Sequence, residues 1–372
     1  MNIILKKVLF PRYLNDSKPT VFLDKKRKKI RNLIQEKLNN NGYKNEIINC
    51  HVCDSSYEQH ELISSKERHG LELDCVVCKN CGLIFTNPRM SKEAYGHFYT
   101  TYYRDLYNYK FGKNNLDTLF KTNYLNGQSV YKFVEPFIKE SSNILEIGCA
   151  NGGLLKFFKE KGHHVTGLDL GEAEVIYGRD KHGLHLIHKS IDDFQGETKQ
   201  DLIIMIHVIE HLTDCAETMQ KIYENLSDTG LLYISCPDVD TLINGQIYKS
   251  DWLTLMQNAH TINFDKISIE NLLAKYGFEL HYFEPGMNLV ARKKKDSKFV
   301  PKLNYPSVLK VIEKAEQKYQ SRKFQNNFRN FLETKGVFAL IVFSVAPVNK
   351  FLIKLGLQKY IKNFIKFLYK FI

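Results

Sequence analysis

Cysteine is sparse in this sequence, and long apolar runs are missing from it. Eight cysteines in 372 residues are too few for a disulfide scaffold, which argues against the small secreted proteins that depend on such cross-links. No stretch reaches the roughly 18 apolar residues of a membrane-spanning helix, and the opening segment MNIILKKVLFPRYL lacks the apolar core of a signal peptide. We therefore expect a cytoplasmic protein with reduced cysteines.

Acidic residues are the minority among the charged ones, since 53 lysines and arginines stand against 41 aspartates and glutamates. The net charge of +12 favours acidic partners, namely nucleic acid, an anionic membrane face or a phosphate-bearing substrate. Charge alone does not choose among these three. A hydrophobic content of 43% is enough for a substantial core, and the length predicts about two or three domains.

The most informative stretch is NILEIGCANGGLL at 143–155, which has the pattern of a buried strand, a glycine-containing turn and a helix. Gly148 and Gly152 let the backbone approach a ligand closely, and the following helix N-terminus offers unpaired N–H groups. The next predicted strand ends in Asp169, about twenty residues after Glu146, where a carboxylate can accept hydrogen bonds from ribose hydroxyls. The stretch therefore predicts a site for a nucleotide-like cofactor.

Strands and helices alternate through the middle of the chain. The predicted strands are 144–148, 164–169, 184–188, 201–207 and 230–235, and the predicted helices are 115–140, 152–161, 171–181, 214–226 and 268–276. This order predicts a Rossmann-like, doubly wound α/β fold with a parallel sheet. Ligands of such sheets bind beyond the carboxyl ends of the strands, where Gly148, Asp169, Asp192 and His207 lie.

Four of the cysteines form two Cys-x-x-Cys pairs, Cys50 with Cys53 and Cys78 with Cys81. Pairs about two dozen residues apart can place four thiolates around one zinc ion, and a small domain needs such a cross-link. A four-thiolate site has no open coordination position, so we expect a structural zinc rather than a catalytic one. Cys75 and His51 lie close enough in sequence to compete as ligands, and free thiols or a redox pair are the alternatives.

The glycine turn resembles the E/D-x-G-x-G-x-G motif of class I S-adenosylmethionine-dependent methyltransferases, with Ala150 in place of the middle glycine. The resemblance implies that Asp169 binds the ribose and Asp192 the adenine amino group. Asp193 is the neighbouring rival, and a helix N-cap is the other role for either aspartate. A dehydrogenase would carry G-x-G-x-x-G instead. The cofactor residues implied are Glu146, Gly148, Cys149, Ala150, Gly152, Asp169, Leu170, Asp192 and His207.

A second resemblance covers residues 46–290. Cys-x-x-Cys-Gly-Leu-Ile-Phe, followed by Asn87-Pro88-Arg89 and Tyr102-Tyr103-Arg104, is similar to the zinc-ribbon methyltransferases of bacterial sugar and surface-polysaccharide pathways. The similarity implies a sugar nucleotide or a lipid-linked saccharide as substrate. It also implies that the tyrosine-rich segment covers the mouth of the methyltransferase domain, with Tyr102, Tyr103 or Tyr107 facing the substrate. Packing between domains is the alternative role for these tyrosines.

A general base for methyl transfer to a sugar hydroxyl is expected in the turn after the strand 201–207. Histidine has the side-chain pKa nearest neutrality and an adjacent carboxylate can orient it, so Glu210 and His211 are the first candidates; the resemblance supports such a pair. His260, in a His-x-x-x-Phe segment of a long connection, is the second. His207 stands where magnesium-binding relatives carry a glutamate, so no metal is expected here. Packing for His211 and solvation for His260 are the alternatives.

The chain divides into five predicted segments. They are a basic N-terminal segment at 1–45, a zinc ribbon at 46–95, a tyrosine-rich linker and cap helix at 96–140, an S-adenosylmethionine-dependent methyltransferase domain at 141–290 and a basic helical region at 291–372. In the last, lysines recur along one stripe of NKFLIKLGLQKYIKNFIKFLYKFI. That stripe suits a helix on the inner face of the membrane, or one packed on a partner or on its own chain.

These features predict an enzyme that moves a methyl group from S-adenosylmethionine to a saccharide and carries a structural zinc. One alternative is an RNA methyltransferase that binds RNA through the ribbon and the basic surface, although the usual catalytic signatures of such enzymes are missing. The other is a scaffold that keeps the fold without turnover.

Overall fold

The strands form one seven-stranded sheet and two smaller sheets. The computed structural model describes residues 7–107, 116–244, 250–294 and 298–322. The strands are β1 (Asn45–Glu46), β2 (His60–Lys66), β3 (Glu72–Cys78), β4 (Ile84–Thr86), β5 (Arg89–Met90), β6 (Asn143–Ile147), β7 (His164–Asp169), β8 (Leu186–His188), β9 (Gln200–Ile206), β10 (Leu226–Ser235), β11 (Ile262–Asn263), β12 (Phe278–Glu284) and β13 (Asn288–Lys293).

The seven-stranded sheet has the order β12-β13-β10-β9-β6-β7-β8. The five strands from β10 to β8 are parallel, and the buried apolar runs of β6 and β9 lie at its centre. This confirms the predicted Rossmann-like fold, but the sheet is mixed rather than parallel. Strands β12 and β13 form a hairpin closed by a tight turn at Gly286, so they must run antiparallel. The sheet therefore extends to Lys293, beyond the predicted domain boundary at 290.

Helices cover both the sheet and the ribbon. They are α1 (Lys25–Asn39), α2 (Lys92–Phe98), α3 (Arg104–Tyr107), α4 (Leu116–Val134), α5 (Gly153–Glu160), α6 (Glu172–His182), α7 (Cys215–Asn225), α8 (Thr241–Asn244), α9 (Trp252–Leu255), α10 (Lys266–Lys275) and α11 (Tyr305–Ser321). The predicted helix 115–140 ends early, at Val134, where a 3-10 turn containing Pro136 follows. Proline lacks the N–H that would continue the helix.

The ribbon shares a sheet with the long connection that precedes α10. This four-stranded sheet has the order β11-β4-β3-β2, and Ile262 of β11 pairs with Phe85 of β4. The ribbon is therefore not bounded by 46–95, because one of its strands lies nearly two hundred residues further along the chain. The tyrosine-rich segment also differs from the predicted linker: α2, a π-helical turn at Tyr99–Tyr103 and α3 form one continuous helix over 92–107.

The N-terminal segment packs against α2 and is also tied to α11, the last described helix. Helix α1 is capped by Asp24, whose carboxylate accepts from the Arg27 N–H at 2.8 Å. Its buried Ile30 and Ile34 join the cluster formed by α2. Arg12 pairs with Asp251 at 2.8 Å and with Glu316 of α11 at 2.6 Å, which ties the N-terminal segment to the last described helix.

No helix within 7–107, 116–244, 250–294 or 298–322 is long and apolar enough to cross a membrane. The lysine-striped C-terminal helix predicted for NKFLIKLGLQKYIKNFIKFLYKFI lies outside the described residues. Its contact with a membrane, a partner or its own chain therefore stays a prediction.

Candidate functional site

The turn after β6 is held against β7 by one carboxylate. Gly148, Ala150 and Gly152 all have left-handed backbone, with φ of 77°, 48° and 72°. The Asp169 carboxylate accepts from the Ala150 N–H at 2.7 Å and from the Gly171 N–H at 2.6 Å. The sequence thus supplies glycine at two of three positions that disfavour a side chain, and Asp169 fixes the turn.

Glu146 lies buried beneath this turn with an unpaired oxygen. Its Oε2 has no hydrogen-bond partner among the described residues. Burial, and then the nearby Asp169 charge, raise the pKa of Glu146 well above its usual value. A buried acceptor without a partner is costly, so the cradle suits a ligand that brings a positive or N–H donor group to Glu146.

The remaining cofactor candidates differ in their exposure and in their contacts. Leu170 is 73% exposed beyond the end of β7. Cys149 is buried, and its thiol packs over Gly167 of β7. The Asp192 carboxylate accepts from the Thr218 hydroxyl of α7 at 2.8 Å. Neither Asp192 nor Asp193 is an N-cap, since Asp214 caps α7.

His207 follows the carboxyl end of β9 and is largely exposed. Its side chain is 64% exposed, and its Nδ1 lies 3.0 Å from Glu210 Oε1. The residue that approaches the turn is Val208, whose Cγ2 lies 2.6 Å from the Cβ position that a side chain at Gly148 would occupy. Nothing in the sequence distinguishes Val208, because one apolar residue after a buried strand carries no pattern of its own. Gly148 is needed for this close approach.

The four predicted metal ligands come together in the ribbon. Cys50 and Cys81 have their sulfurs 3.4 Å apart, those of Cys53 and Cys78 are 3.5 Å apart, and all four lie within 4.8 Å of one another. Tetrahedral zinc with Zn–S bonds of about 2.3 Å needs sulfurs about 3.8 Å apart, so the set fits such an ion. Cys75 does not compete as a ligand, because it packs in a different apolar cluster. His51 is likewise not part of the group.

His211 is held in one tautomer beside the carboxyl end of β9. Its Nδ1 lies 2.7 Å from the carbonyl oxygen of Ala259, which can only accept, so Nδ1 carries the proton. The Tyr99 hydroxyl donates to the same carbonyl at 3.0 Å. The Nε2 lone pair of His211 is therefore free to accept a proton. Burial lowers the pKa of His211, against the opposing Glu210 charge, and so favours the neutral ring.

Glu210 hydrogen-bonds to His207 rather than to His211, although its charge still acts to raise the pKa of His211, the second role expected for an adjacent carboxylate. Its Oε1 is 3.0 Å from His207 Nδ1 but 4.0 Å from His211 Nε2, and its Oε2 has no hydrogen-bond partner in the described part of the chain. The hydrogen bond from Glu210 raises the pKa of His207. The carbonyl of Ala259, a residue 48 positions further along the chain, supplies the orientation instead.

His260 is buried against His211 rather than solvated. The two rings make an edge contact with centroids 4.9 Å apart. Nε2 of His260 contacts the side-chain amide of Gln257, while Nδ1 has no partner within the described ranges. Burial lowers the pKa of His260 well below its usual value. Ligand atoms of Glu210, His211 and His260 lie within 4.8 Å of one another, so the group can take a proton from a substrate or hold a cation.

A face of tyrosines lies against these histidines. Tyr99, Tyr103 and Tyr107 follow one another at intervals of four, with successive ring centroids 5.0 Å apart, and Tyr103 is 6.3 Å from His211. Tyr102 instead packs against His97 at 5.7 Å. The spacing of four along a helix would have identified this face, and π-helical turns often occur at functional sites.

Backbone hydrogen bonds connect the ribbon to the histidines. The Thr86 N–H of β4 donates to the Thr261 carbonyl at 2.9 Å, and the Thr261 N–H donates to the Glu210 carbonyl at 2.8 Å. The Arg89 guanidinium also contacts the Thr213 carbonyl. The ribbon sheet therefore positions both the His260 segment and the turn that carries His211.

Comparison with known proteins finds a match over the central part of the chain. Residues 121–282 match the family described as a methyltransferase domain. The chain is 24% identical to (S)-tetrahydroprotoberberine N-methyltransferase of Eschscholzia californica over 34% of this chain and 42% of that protein. It is 29% identical to the ubiquinone biosynthesis O-methyltransferase of Chelativorans sp. over 27% of this chain and 42% of that protein.

The chain therefore spans less than half the length of these two relatives. Among solved structures, a methyltransferase of Mesorhizobium loti is similar at a TM-score of 0.37 and 18% identity, covering 45% of this chain and 100% of that one.

Proposed function

We propose that this chain, which contains a class I S-adenosylmethionine-dependent methyltransferase domain, transfers a methyl group to a hydroxyl of a sugar or sugar-linked intermediate of surface-polysaccharide synthesis. The two named relatives methylate at nitrogen and at oxygen, as their names state. The relatives thus do not identify the acceptor, and this chain's own residues favour one that bears hydroxyl groups.

The cofactor cradle is the glycine turn with Glu146 and Asp169. S-adenosylmethionine, when bound, supplies an electrophilic methyl group and carries an amino group and ribose hydroxyls. The unpaired Glu146 oxygen suits the amino group, and each Asp169 oxygen keeps a lone pair beyond its bond to the turn. The turn brings backbone N–H groups near the same place, and Leu170 offers an apolar surface at the mouth.

His211 is the proposed general base. Its fixed tautomer points an unprotonated Nε2 away from Ala259, and its lowered pKa keeps that nitrogen neutral near pH 7. An acceptor hydroxyl that donates to this nitrogen loses its proton there as the oxygen attacks the methyl carbon. The geometry of His211 is the single observation that carries the proposal of a base.

Unpaired polar atoms around His211 suit a polyhydroxyl acceptor. Among the buried atoms without hydrogen-bond partners in the described chain are the Tyr107 hydroxyl, His260 Nδ1, Glu210 Oε2 and Asn258 Nδ2. Buried polar atoms are nearly always satisfied in folded proteins. Two donors, one acceptor and a ring nitrogen in this region match the several hydroxyls of a saccharide better than an apolar ring.

The ribbon cysteines are proposed to bind one structural zinc ion. Four sulfurs that lie within 4.8 Å of one another leave no position for a substrate on the ion. The metal would instead rigidify the ribbon, whose strand β4 pairs with the segment that follows His260.

Mass spectrometry of saccharide pools tests the proposal. Nucleotide-sugar and lipid-linked pools are compared between cells with and without the gene, and candidate acceptors are then incubated with the purified chain and labelled S-adenosylmethionine. We expect a saccharide that gains one methyl group only when the chain is present. Methylated RNA bases that change while those pools stay constant would instead support an RNA methyltransferase. Cofactor binding without any methylated product would indicate a scaffold.

A further inference from the structure

Arg68 stands at the tip of the β2–β3 hairpin with its backbone fixed on both sides. Its N–H donates to the Met256 carbonyl at 3.0 Å, in the connection that leads to His260. Its carbonyl accepts from the Thr20 N–H at 2.8 Å and from the Thr20 hydroxyl at 3.2 Å. The half-buried side chain of Arg68 therefore begins at a fixed point of the backbone, beside the connection that leads to His260.

The adjacent carboxylate does not neutralise Arg68. Glu67 turns inward, where its Oε1 accepts from the N–H groups of His69 at 2.7 Å and Leu71 at 3.1 Å. Its Oε2 lies 2.9 Å from His69 Nδ1. Glu67 is thus held by contacts within the hairpin itself.

Arg68 lacks an anionic partner in the described chain. By contrast, Arg12, Arg89, Arg104 and Arg292 each contact a carboxylate. The guanidinium of Arg68 instead lies over the ring of Tyr107, with its carbon 5.0 Å from the ring centroid. A guanidinium has five N–H donors and no acceptor, so this one retains its capacity for an oxyanion.

The position of Arg68 links it to the proposed acceptor site. Tyr107 is the far end of the tyrosine face that reaches His211 through Tyr103. Burial is the main cause of the lowered pKa of His260, and the positive charge of Arg68 also contributes to it. The base and the unpaired cation therefore stand at opposite ends of one row of side chains.

We propose that Arg68 binds an anionic group of the acceptor, a phosphate or a carboxylate, while a hydroxyl of the same molecule lies at His211. The planar fork of a guanidinium matches either oxyanion with two parallel hydrogen bonds. Arg68 thereby selects charged saccharides over neutral ones. The inference rests on the proposed function, because it places the anion on the molecule that is methylated.

Calorimetric titration of the full chain with three sugars tests this. α-D-Glucose 1-phosphate carries a phosphate, D-glucuronate carries a carboxylate, and D-glucose carries neither. We expect at least one charged sugar to bind more tightly than glucose. Arg68→Met should weaken that binding about ten- to a hundredfold. Arg68→Lys keeps the charge but loses the planar fork, so its affinity should lie between those of the parent chain and Arg68→Met. The charged sugar that responds identifies the anionic group.

Arg292→Met is the matched control. Arg292 pairs with Glu279 at the far edge of the large sheet, so removing its charge should leave all three titrations unchanged. Unaltered affinity for S-adenosylhomocysteine and an unaltered thermal midpoint show that Arg68→Met is folded.

Two results overturn the inference. The first is that neither charged sugar binds more tightly than glucose, which includes the case in which neither binds detectably. The second is that Arg68→Met binds the charged sugar as tightly as the parent chain does. The titrations are made without cofactor. Failure to bind S-adenosylhomocysteine, or to transfer a methyl group to any pool, would count against the proposed function. The sugar titrations could still be interpreted, because they do not depend on the cofactor.

Discussion

The two ends of the proposed site are built in different ways. The cofactor end comes from one continuous stretch of chain, since Glu146, the glycine turn, Asp169 and Gly171 lie within two strand–turn–helix units. The acceptor end brings together a ribbon hairpin, the helix at 92–107, the turn after β9 and the segment around His260. A local pattern can encode the first end, whereas only tertiary structure creates the second.

The difference predicts that the two ends can be damaged separately. Substitutions in the glycine turn or at Asp169 should change cofactor affinity with little effect on the chemical step. Substitutions among the ribbon, the tyrosines and the histidines should do the reverse.

The largest expected effect is at the base. His211→Ala should lower the methyl-transfer rate by about 10² to 10⁴, the usual worth of a positioned general base, with cofactor affinity near normal. In the parent chain the rate should fall as pH drops through the lowered pKa of His211, because the protonated ring cannot accept a proton. Stopped assays across pH check this, and the acidic limb should be absent from the variant.

His260→Ala is the companion variant. It removes a ring that contacts His211 but leaves the Ala259 carbonyl that fixes the His211 tautomer. We expect a smaller loss of rate and a retained acidic limb. If His260→Ala abolished turnover while His211→Ala kept both rate and profile, the base would be His260.

Zinc removal should damage the acceptor end next most strongly. Cys53→Ser should release the metal and loosen β4, which pairs with β11 and holds Thr261 against Glu210. Methyl transfer should fall at least tenfold, while cofactor affinity stays within a few fold because one face of the large sheet has a core that contains no ribbon residue. On one preparation, elemental analysis measures the loss of metal, calorimetry the cofactor affinity and rate assays the fall in methyl transfer.

The metal count also distinguishes two roles of the histidine group. We expect one zinc per chain, lost in Cys53→Ser. A second equivalent that disappears in His260→Ala would mean that Glu210, His211 and His260 hold a cation, and a base role for His211 would then be wrong.

At the cofactor end, Asp169→Ala should weaken S-adenosylmethionine binding by about 1.5 to 3 kcal/mol for each ribose hydrogen bond lost. The same substitution frees the Ala150 and Gly171 N–H groups, so part of the loss will come from a looser turn. Asp193→Ala, next to the predicted adenine residue but outside these contacts, is the control. Unchanged affinity in folded Asp169→Ala protein would remove Asp169 from the site.

The smallest effect is expected at Ala150. This residue has φ of 48°, where an L side chain is strained by roughly 1 kcal/mol. Ala150→Gly should therefore stabilise the protein slightly, by about 1 kcal/mol or less once the added freedom of the unfolded glycine is subtracted. Chemical denaturation measures this directly. A destabilised variant would show that the alanine methyl group contributes packing that outweighs the strain.

The same contrast explains what the sequence could predict. The β6 turn, Asp169, the four cysteines and the alternating elements follow from short-range patterns, and the predicted bounds lie within a few residues for most of them. The antiparallel hairpin β12–β13 was missed because neither strand has a clean alternation of buried and exposed residues. Glu210 was assigned to His211 because the two are adjacent in sequence, although the carbonyl of a distant residue orients the ring.

Some candidate residues at the acceptor end could be named from the sequence, but their contacts with one another could not be predicted. His211 and His260 were both identified, yet their contact depends on β11 joining the ribbon sheet, which two residues of strand do not reveal. Arg68 carried no pattern of its own, and the spacing of four that links Tyr99 to Tyr103 and Tyr107 does not say what that face contacts. Only the folded chain brings Tyr99 of the π-helical turn against His211 and Arg68 of the hairpin tip over Tyr107.

The most direct test compares His211→Ala with Asp169→Ala in one steady-state experiment, in which S-adenosylmethionine is varied against the saccharide acceptor recovered from the pools. The account predicts that saturating cofactor restores most of the rate of Asp169→Ala, whereas His211→Ala binds the cofactor normally and stays slow at every concentration. It is contradicted if His211→Ala turns over at the parent rate, or if its defect disappears when the cofactor is saturating.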